Sequence, residues 1–109
     1  MGRVLLVNFD ETFEGQVMET LHRRGFLVSI YRRGERLAER LAKVGQEVDL
    51  VILDVSHDDQ DTQDCFAEIL QYRAQHGPRP MLLCASHVYR GPRFELALER
   101  KGARVVYVR

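Results

Sequence analysis

The chain has no apolar run approaching the roughly 20 residues that a membrane-spanning helix needs. Its first stretch, MGRVLLVNFDE, confines the apolar part to Val4 through Val7 before acids begin. That is not the pattern of a secretory leader, and the expectation is a cytoplasmic protein with no membrane contact. There are only two cysteines, Cys65 and Cys84. They form no metal-binding spacing and are expected to be reduced thiols. Net charge is also lacking: 16 Lys and Arg balance 16 Asp and Glu. This removes the basic footprint expected of a nucleic-acid binder. No internal repeat, low-complexity tract or linker interrupts the 109 residues, so one domain over 1–109 is expected.

The charge that is present is unevenly spread. From His22 to Lys43 there are seven basic residues (Arg23, Arg24, Arg32, Arg33, Arg36, Arg40, Lys43) and two acids. From Glu47 to Glu68 there are eight acids and no Lys or Arg. A solvated surface accounts for such runs, and so does a polarised face that steers a protein partner or a second copy.

The hydrophobic period alternates between strand and helix. RVLLV (Arg3 to Val7), FLVSIY (Phe26 to Tyr31), Asp49 to Val55, MLLCA (Met81 to Ala85) and RVVYV (Arg104 to Val108) read as strands. Val17, Met18 and Leu21 mark a helix closed by Gly25. Leu37, Leu41 and Val44, at i, i+4 and i+7, mark a second, ended by Gly45. Phe66, Ile69 and Leu70 belong to a third, opened by acids at Asp58, Asp59 and Asp61 and stopped by His76-Gly77-Pro78. Phe94, Ala97 and Leu98 mark a fourth, ended by Gly102. Apolar strands alternating with amphipathic helices imply an α/β fold, with a parallel sheet covered on both faces.

In such a sheet, sites lie outside the carboxyl ends of the strands. Asp54 sits at one of those ends, a carboxylate at the lip of an apolar run. Asn8 to Glu11, Ala85 to His87 and Arg109 follow other strands, and these groups are expected to converge around it.

The stretch DLVILDV, Asp49 to Val55, resembles the third strand of bacterial response-regulator receiver domains. RVLLVNFDE resembles their first strand and acidic turn, and KGARVVYVR resembles their ending, where Gly-Ala leads to a strand and a lysine. The likeness runs in order over nearly the whole chain. It implies a flavodoxin-like three-layer sandwich with strand order 2-1-3-4-5, here with the final helix missing. It also implies phosphoryl transfer to one aspartate, with a divalent metal, two acids, a hydroxyl and a lysine around it. Carried over by position, Asp54 is the phosphoacceptor. The acid slots fall on Asn8 and Phe9, followed by Asp10. The hydroxyl slot falls on Ala85 with Ser86 beside it, and the lysine slot on Arg109.

With Phe9 where a metal ligand belongs, the resemblance is to the atypical, or pseudo-receiver, branch. The implied function is signalling through protein–protein contact, without enzymatic turnover, and with weak or absent phosphorylation at Asp54. A working phosphoacceptor in a two-component phosphorelay is the alternative. Magnesium is not required, and a weak site would use Asp10, Glu11 and Asp54. The expected interaction surface is Tyr89, Arg90 and Arg93, plus the uncovered flank by Val105 to Val108, which a partner or a second subunit would cover. His57 and His87, with Asp10 or Asp58, could hold a transition metal, although none are at the helical i, i+4 ligand spacing. Cys84 reads as core, and Ser86 beside His87 does not form a catalytic triad.

Overall fold

A computed structural model describes residues 2–32 and 35–108. Among them, strands β1 (Arg3–Val7), β2 (Leu27–Tyr31), β3 (Leu50–Asp54), β4 (Met81–Ser86) and β5 (Arg104–Tyr107) alternate with four α-helices. The helices are α1 (Glu11–Arg23), α2 (Leu37–Val44), α3 (Gln60–His76) and α4 (Pro92–Arg100). The strands pair in parallel in the order β2-β1-β3-β4-β5. This is the flavodoxin-like order that the receiver resemblance implies.

Strand alternation divides the core in two. Leu5, Val7, Val51, Leu53, Leu82 and Cys84 point to one face, where Leu37 and Leu41 of α2, Phe66 and Ile69 of α3 and Leu98 of α4 cover them. Val4, Leu6, Ile52 and Ala85 point to the other, where Phe13 of α1 is buried with them. Among the described residues α1 alone covers that second face. Its β4–β5 side is more open, with Met81 and Val106 exposed. The central strands have helices on both sides and therefore read as unbroken apolar runs, whereas edge strand β2 is at best half-buried.

The helix ends follow from their residues. Helix α1 starts at Glu11, three residues before the Glu14 from which its periodicity is legible. Asp10 caps it, accepting from the Phe13 N–H at 2.8 Å. Asp59 caps α3 in the same way through Thr62, and Pro92 opens α4. Gly25 and Gly102 have positive φ just past α1 and α4, the helix-stop role expected of them. Gly34, a glycine whose place after FLVSIY reads as a strand breaker, lies outside the described residues.

Gly45 has a different role. Its φ of −57° is ordinary helix, and the chain continues through a 3₁₀ turn, Gly45–Glu47. A Cβ at Gly45 would lie 2.4 Å from the Tyr72 ring. That ring is buried and stacks on His76 with centroids 4.2 Å apart, while its hydroxyl accepts from Gln46 at 2.7 Å. The position is glycine so that α2 and α3 can approach closely. Gly45→Ala is therefore expected to destabilise by about 1–3 kcal/mol. In a denaturant double-mutant cycle the same change should cost much less on a Tyr72→Ala background.

Candidate functional site

The carboxyl ends of β1, β3 and β4 lie side by side, with Val7 opposite Leu53 and Asp54 opposite Ala85. The loops leaving them carry the expected site residues. Asp54 is 2% exposed. Its Oδ1 accepts from the Ser56 N–H at 2.8 Å, while Oδ2 is buried with no hydrogen-bond partner among the described residues. Alternation along β3 places Asp54 on the α1 face, with Ile52 and its cross-strand partner Ala85. Phe9 packs against that same apolar cluster, and its ring lies 5.1 Å from the Phe13 ring.

The first loop is built differently from an acidic pair. Asn8 adopts a left-handed backbone, φ 68°, which asparagine tolerates better than most residues. Its amide donates to Thr62 Oγ1 at 2.8 Å, reaching the first turn of α3. Asp10 shares its carboxylate: Oδ1 caps α1, and Oδ2 lies 3.4 Å from His87 Nε2. Glu11 is exposed in the first turn of α1.

Ser86 is fully buried. Its Oγ donates to the Val88 carbonyl at 2.5 Å and accepts from the Val88 N–H at 3.0 Å. Alternation puts it on the Cys84 face, opposite Ala85 and Asp54. Burial pushes the Cys84 thiol up to about 12, so it is no nucleophile at neutral pH. Arg109 lies outside the described residues.

A network that the sequence did not reveal ties the second and third of these loops together. Val55 N–H donates to the Ala85 carbonyl at 2.8 Å, and Arg90 donates to the Val55 carbonyl at 2.7 Å. His87 N–H donates to Ser56 Oγ at 3.0 Å. Arg90 also lies 4.2 Å over the Phe94 ring and 3.8 Å from Asp58. Of the three expected interaction residues, Tyr89 and Arg93 are exposed, while Arg90 spends its guanidinium inside the domain.

The ligand-type side chains that come together are Asp10, His57 and His87, with one ligand atom from each within 4.8 Å of the others. Among the described residues this is the one such group. Glu11 and Asp54, which the receiver resemblance pairs with Asp10, are not in it. A cavity of about 530 Å³ opens beside it, lined by Asn8, Phe9, Asp10, Glu11, Glu14, Tyr31, Arg32, His57 and Asp59. Asp54 is not among these lining residues.

No protein-family model and no curated protein matches the sequence. Solved structures do. Chemotaxis protein CheY4 of Vibrio cholerae aligns over 100% of this chain and 87% of its own, at 21% identity and TM-score 0.73. A response regulator protein from Burkholderia multivorans aligns over 96% of this chain and 80% of its own, at 20% identity and TM-score 0.62. A Burkholderia pseudomallei protein described as pilus-assembly-related aligns over 97% and 76%, at 16% identity and TM-score 0.71. The fold is thus that of CheY-like receiver domains. Among the described residues no helix is long and apolar enough to cross a membrane.

Two stability measurements separate structural from functional roles. Asp54→Asn keeps an acceptor for the Ser56 N–H and removes a buried charge with an unpartnered oxygen. In urea titration the change is expected to stay within about 1 kcal/mol, because the charge removed is offset by the amide N–H groups that take the place of the unpartnered oxygen; a loss well beyond that would show that the carboxylate is held by a partner. Arg90→Ala removes a charged hydrogen bond and a cation–π contact and is expected to cost about 2–3 kcal/mol. Arg93→Ala should stay within about 0.5 kcal/mol of the parent.

Proposed function

We propose that this domain works in signalling as a receiver-like module acting mainly through protein contacts, with Asp54 phosphorylated weakly or not at all. The observation that carries the reading is the state of Asp54. It stands at the carboxyl end of β3 in a CheY-like fold, but is 2% exposed, and Phe9 packs into the apolar cluster on its face. Phosphoryl transfer to a carboxylate concentrates negative charge, which must be neutralised by a metal ion and cationic groups.

The residues present do not fit a magnesium ion held by paired acids. Magnesium wants oxygen ligands in near-octahedral geometry. Here Phe9 offers no ligand, the Asn8 amide donates to Thr62, and Asp10, Glu11 and Asp54 do not gather as one group of three. This supports weak magnesium binding and, with it, weak phosphoryl transfer to Asp54.

The surface for partners is the exposed part of the β4–α4 loop, where Val88 and Tyr89 are 44% and 70% exposed, continuing onto Arg93. The open side of the α1 face, with Met81 and Val106, adds apolar area that a partner or a second subunit would bury.

One observation favours the second reading, a working phosphoacceptor: Asp54 Oδ2 is buried without a hydrogen-bond partner among the described residues, so the fold there leaves the oxygen uncommitted. Two experiments separate the readings. Beryllium, fluoride and magnesium are titrated into labelled protein while amide resonances around Asp54 are followed. The expected result is no saturable shift at ordinary magnesium levels. Acetyl-phosphate labelling is expected to be slow or absent; efficient labelling abolished by Asp54→Asn would establish the second reading instead.

A further inference from the structure

We infer that Asp10, His57 and His87 form a binding site for a borderline divalent transition cation of the zinc class. It would share only Asp10 with the magnesium site that the receiver resemblance implies and does not rest on the signalling reading above.

The donor set carries the argument. Two imidazoles and one carboxylate suit zinc, nickel or copper, whereas magnesium prefers all-oxygen sets. The geometry agrees. Zinc–ligand bonds of about 2.0–2.1 Å in a tetrahedral site put neighbouring ligand atoms about 3.3 Å apart. His87 Nε2 and Asp10 Oδ2 are 3.4 Å apart, the edge length of that tetrahedron and long for a direct N–H···O bond. The His57 ligand atom completes a group spanning no more than 4.8 Å. Closing it requires movement of surface side chains, not of the sheet.

Two of the three ligands are held in place by their surroundings. Asp10 Oδ1 is fixed by the Phe13 N–H at the helix cap, leaving Oδ2 to face the site. The His87 ring lies edge-on to Phe13 with centroids 5.0 Å apart, and its backbone N–H is tied to Ser56 Oγ. The His57 and His87 rings are 5.9 Å apart and nearly perpendicular, at 76°, so their nitrogens can converge without the rings stacking. All three residues are exposed, which leaves an entry path and a fourth position for water. The three ligands come from the loops after β1, β3 and β4. A bound ion would therefore cross-link the loop end of the domain and raise its stability by mass action.

The test uses the full chain, freed of metal by chelation, with Zn²⁺ alone as the probe. Calorimetric titration should show one saturable site, and the ring resonances of His57 and His87 should shift while those of His22 and His76 do not. Single variants His57→Ala and His87→Ala should each weaken binding by about tenfold or more, the scale seen when a metal site loses a supporting group. Both histidines are exposed, so these variants keep the fold. A His22→Ala/His76→Ala variant should bind as the parent does, and millimolar Mg²⁺ should not compete. Asp54→Asn should leave zinc binding unchanged, so failure of the phosphoacceptor chemistry and failure of this site are distinguishable. The proposal is overturned by absence of saturable Zn²⁺ binding, by binding that survives both single substitutions, or by binding that Mg²⁺ displaces equally well.

Discussion

Parallel pairing of β3 with β1 and β4 is the constraint on which the rest of this domain depends. It sends three chains out of the sheet at one edge, where each strand's last backbone groups lose their ladder partners. The structure satisfies them locally. Val55 donates to Ala85 and receives Arg90, Ser56 returns to the Asp54 carboxylate, and His87 donates to the Ser56 hydroxyl. These bonds fix the backbones of the second and third loops, while Asp10 fixes the first by capping α1. Among the side chains these bonds leave exposed are His57, Tyr89, Arg93 and the ring of His87, with one oxygen of Asp10 beside it.

Asp54 is the exception to this economy. One of its oxygens accepts from the Ser56 N–H, but the other has no partner among the described residues, and a buried polar atom left unpaired opposes folding. Local rules broken in a well-packed core mark places where something besides stability shaped the residue. The rest of the pocket has gone the other way. Phe9 and Phe13 associate over the same face, and Ala85 adds no hydroxyl. A carboxylate and an apolar enclosure thus meet at one point, which is why accessibility of Asp54, more than its position, decides between the two signalling readings.

Much of the fold was legible because period and composition report burial directly. Val4 to Val7 and Val51 to Val55 are buried on both faces and look it. Leu37 and Leu41 sit on the inward face of α2, as their spacing requires. The strand order came from resemblance, not from period, because alternation does not say which strands are neighbours. Side-chain partners set by tertiary contact were not legible. Gly45 looks like any helix-ending glycine until Tyr72 is seen against it. Arg90 looks like a surface cation until Val55 and Phe94 are seen beneath it. For the first loop there was a faint signal: an asparagine after a strand suits a left-handed turn, and an aspartate before Glu11 and Glu14 suits a helix cap. Together they place the loop's one converging carboxylate at Asp10 and not one residue earlier.

That one-residue displacement separates this site chemically from a receiver's acid pair. A carboxylate at the cap of α1 has one oxygen committed to the helix and one directed outward, toward His87. It is in no group with Asp54, whose face of β3 lies under α1, while the histidines rise from the loops above. The two halves of the site are still mechanically joined, because Ser56 binds Asp54 through its amide and His87 through its hydroxyl. Ser56 thus stands between the two centres of the loop end, the sealed one at Asp54 and the open one at Asp10 and His87.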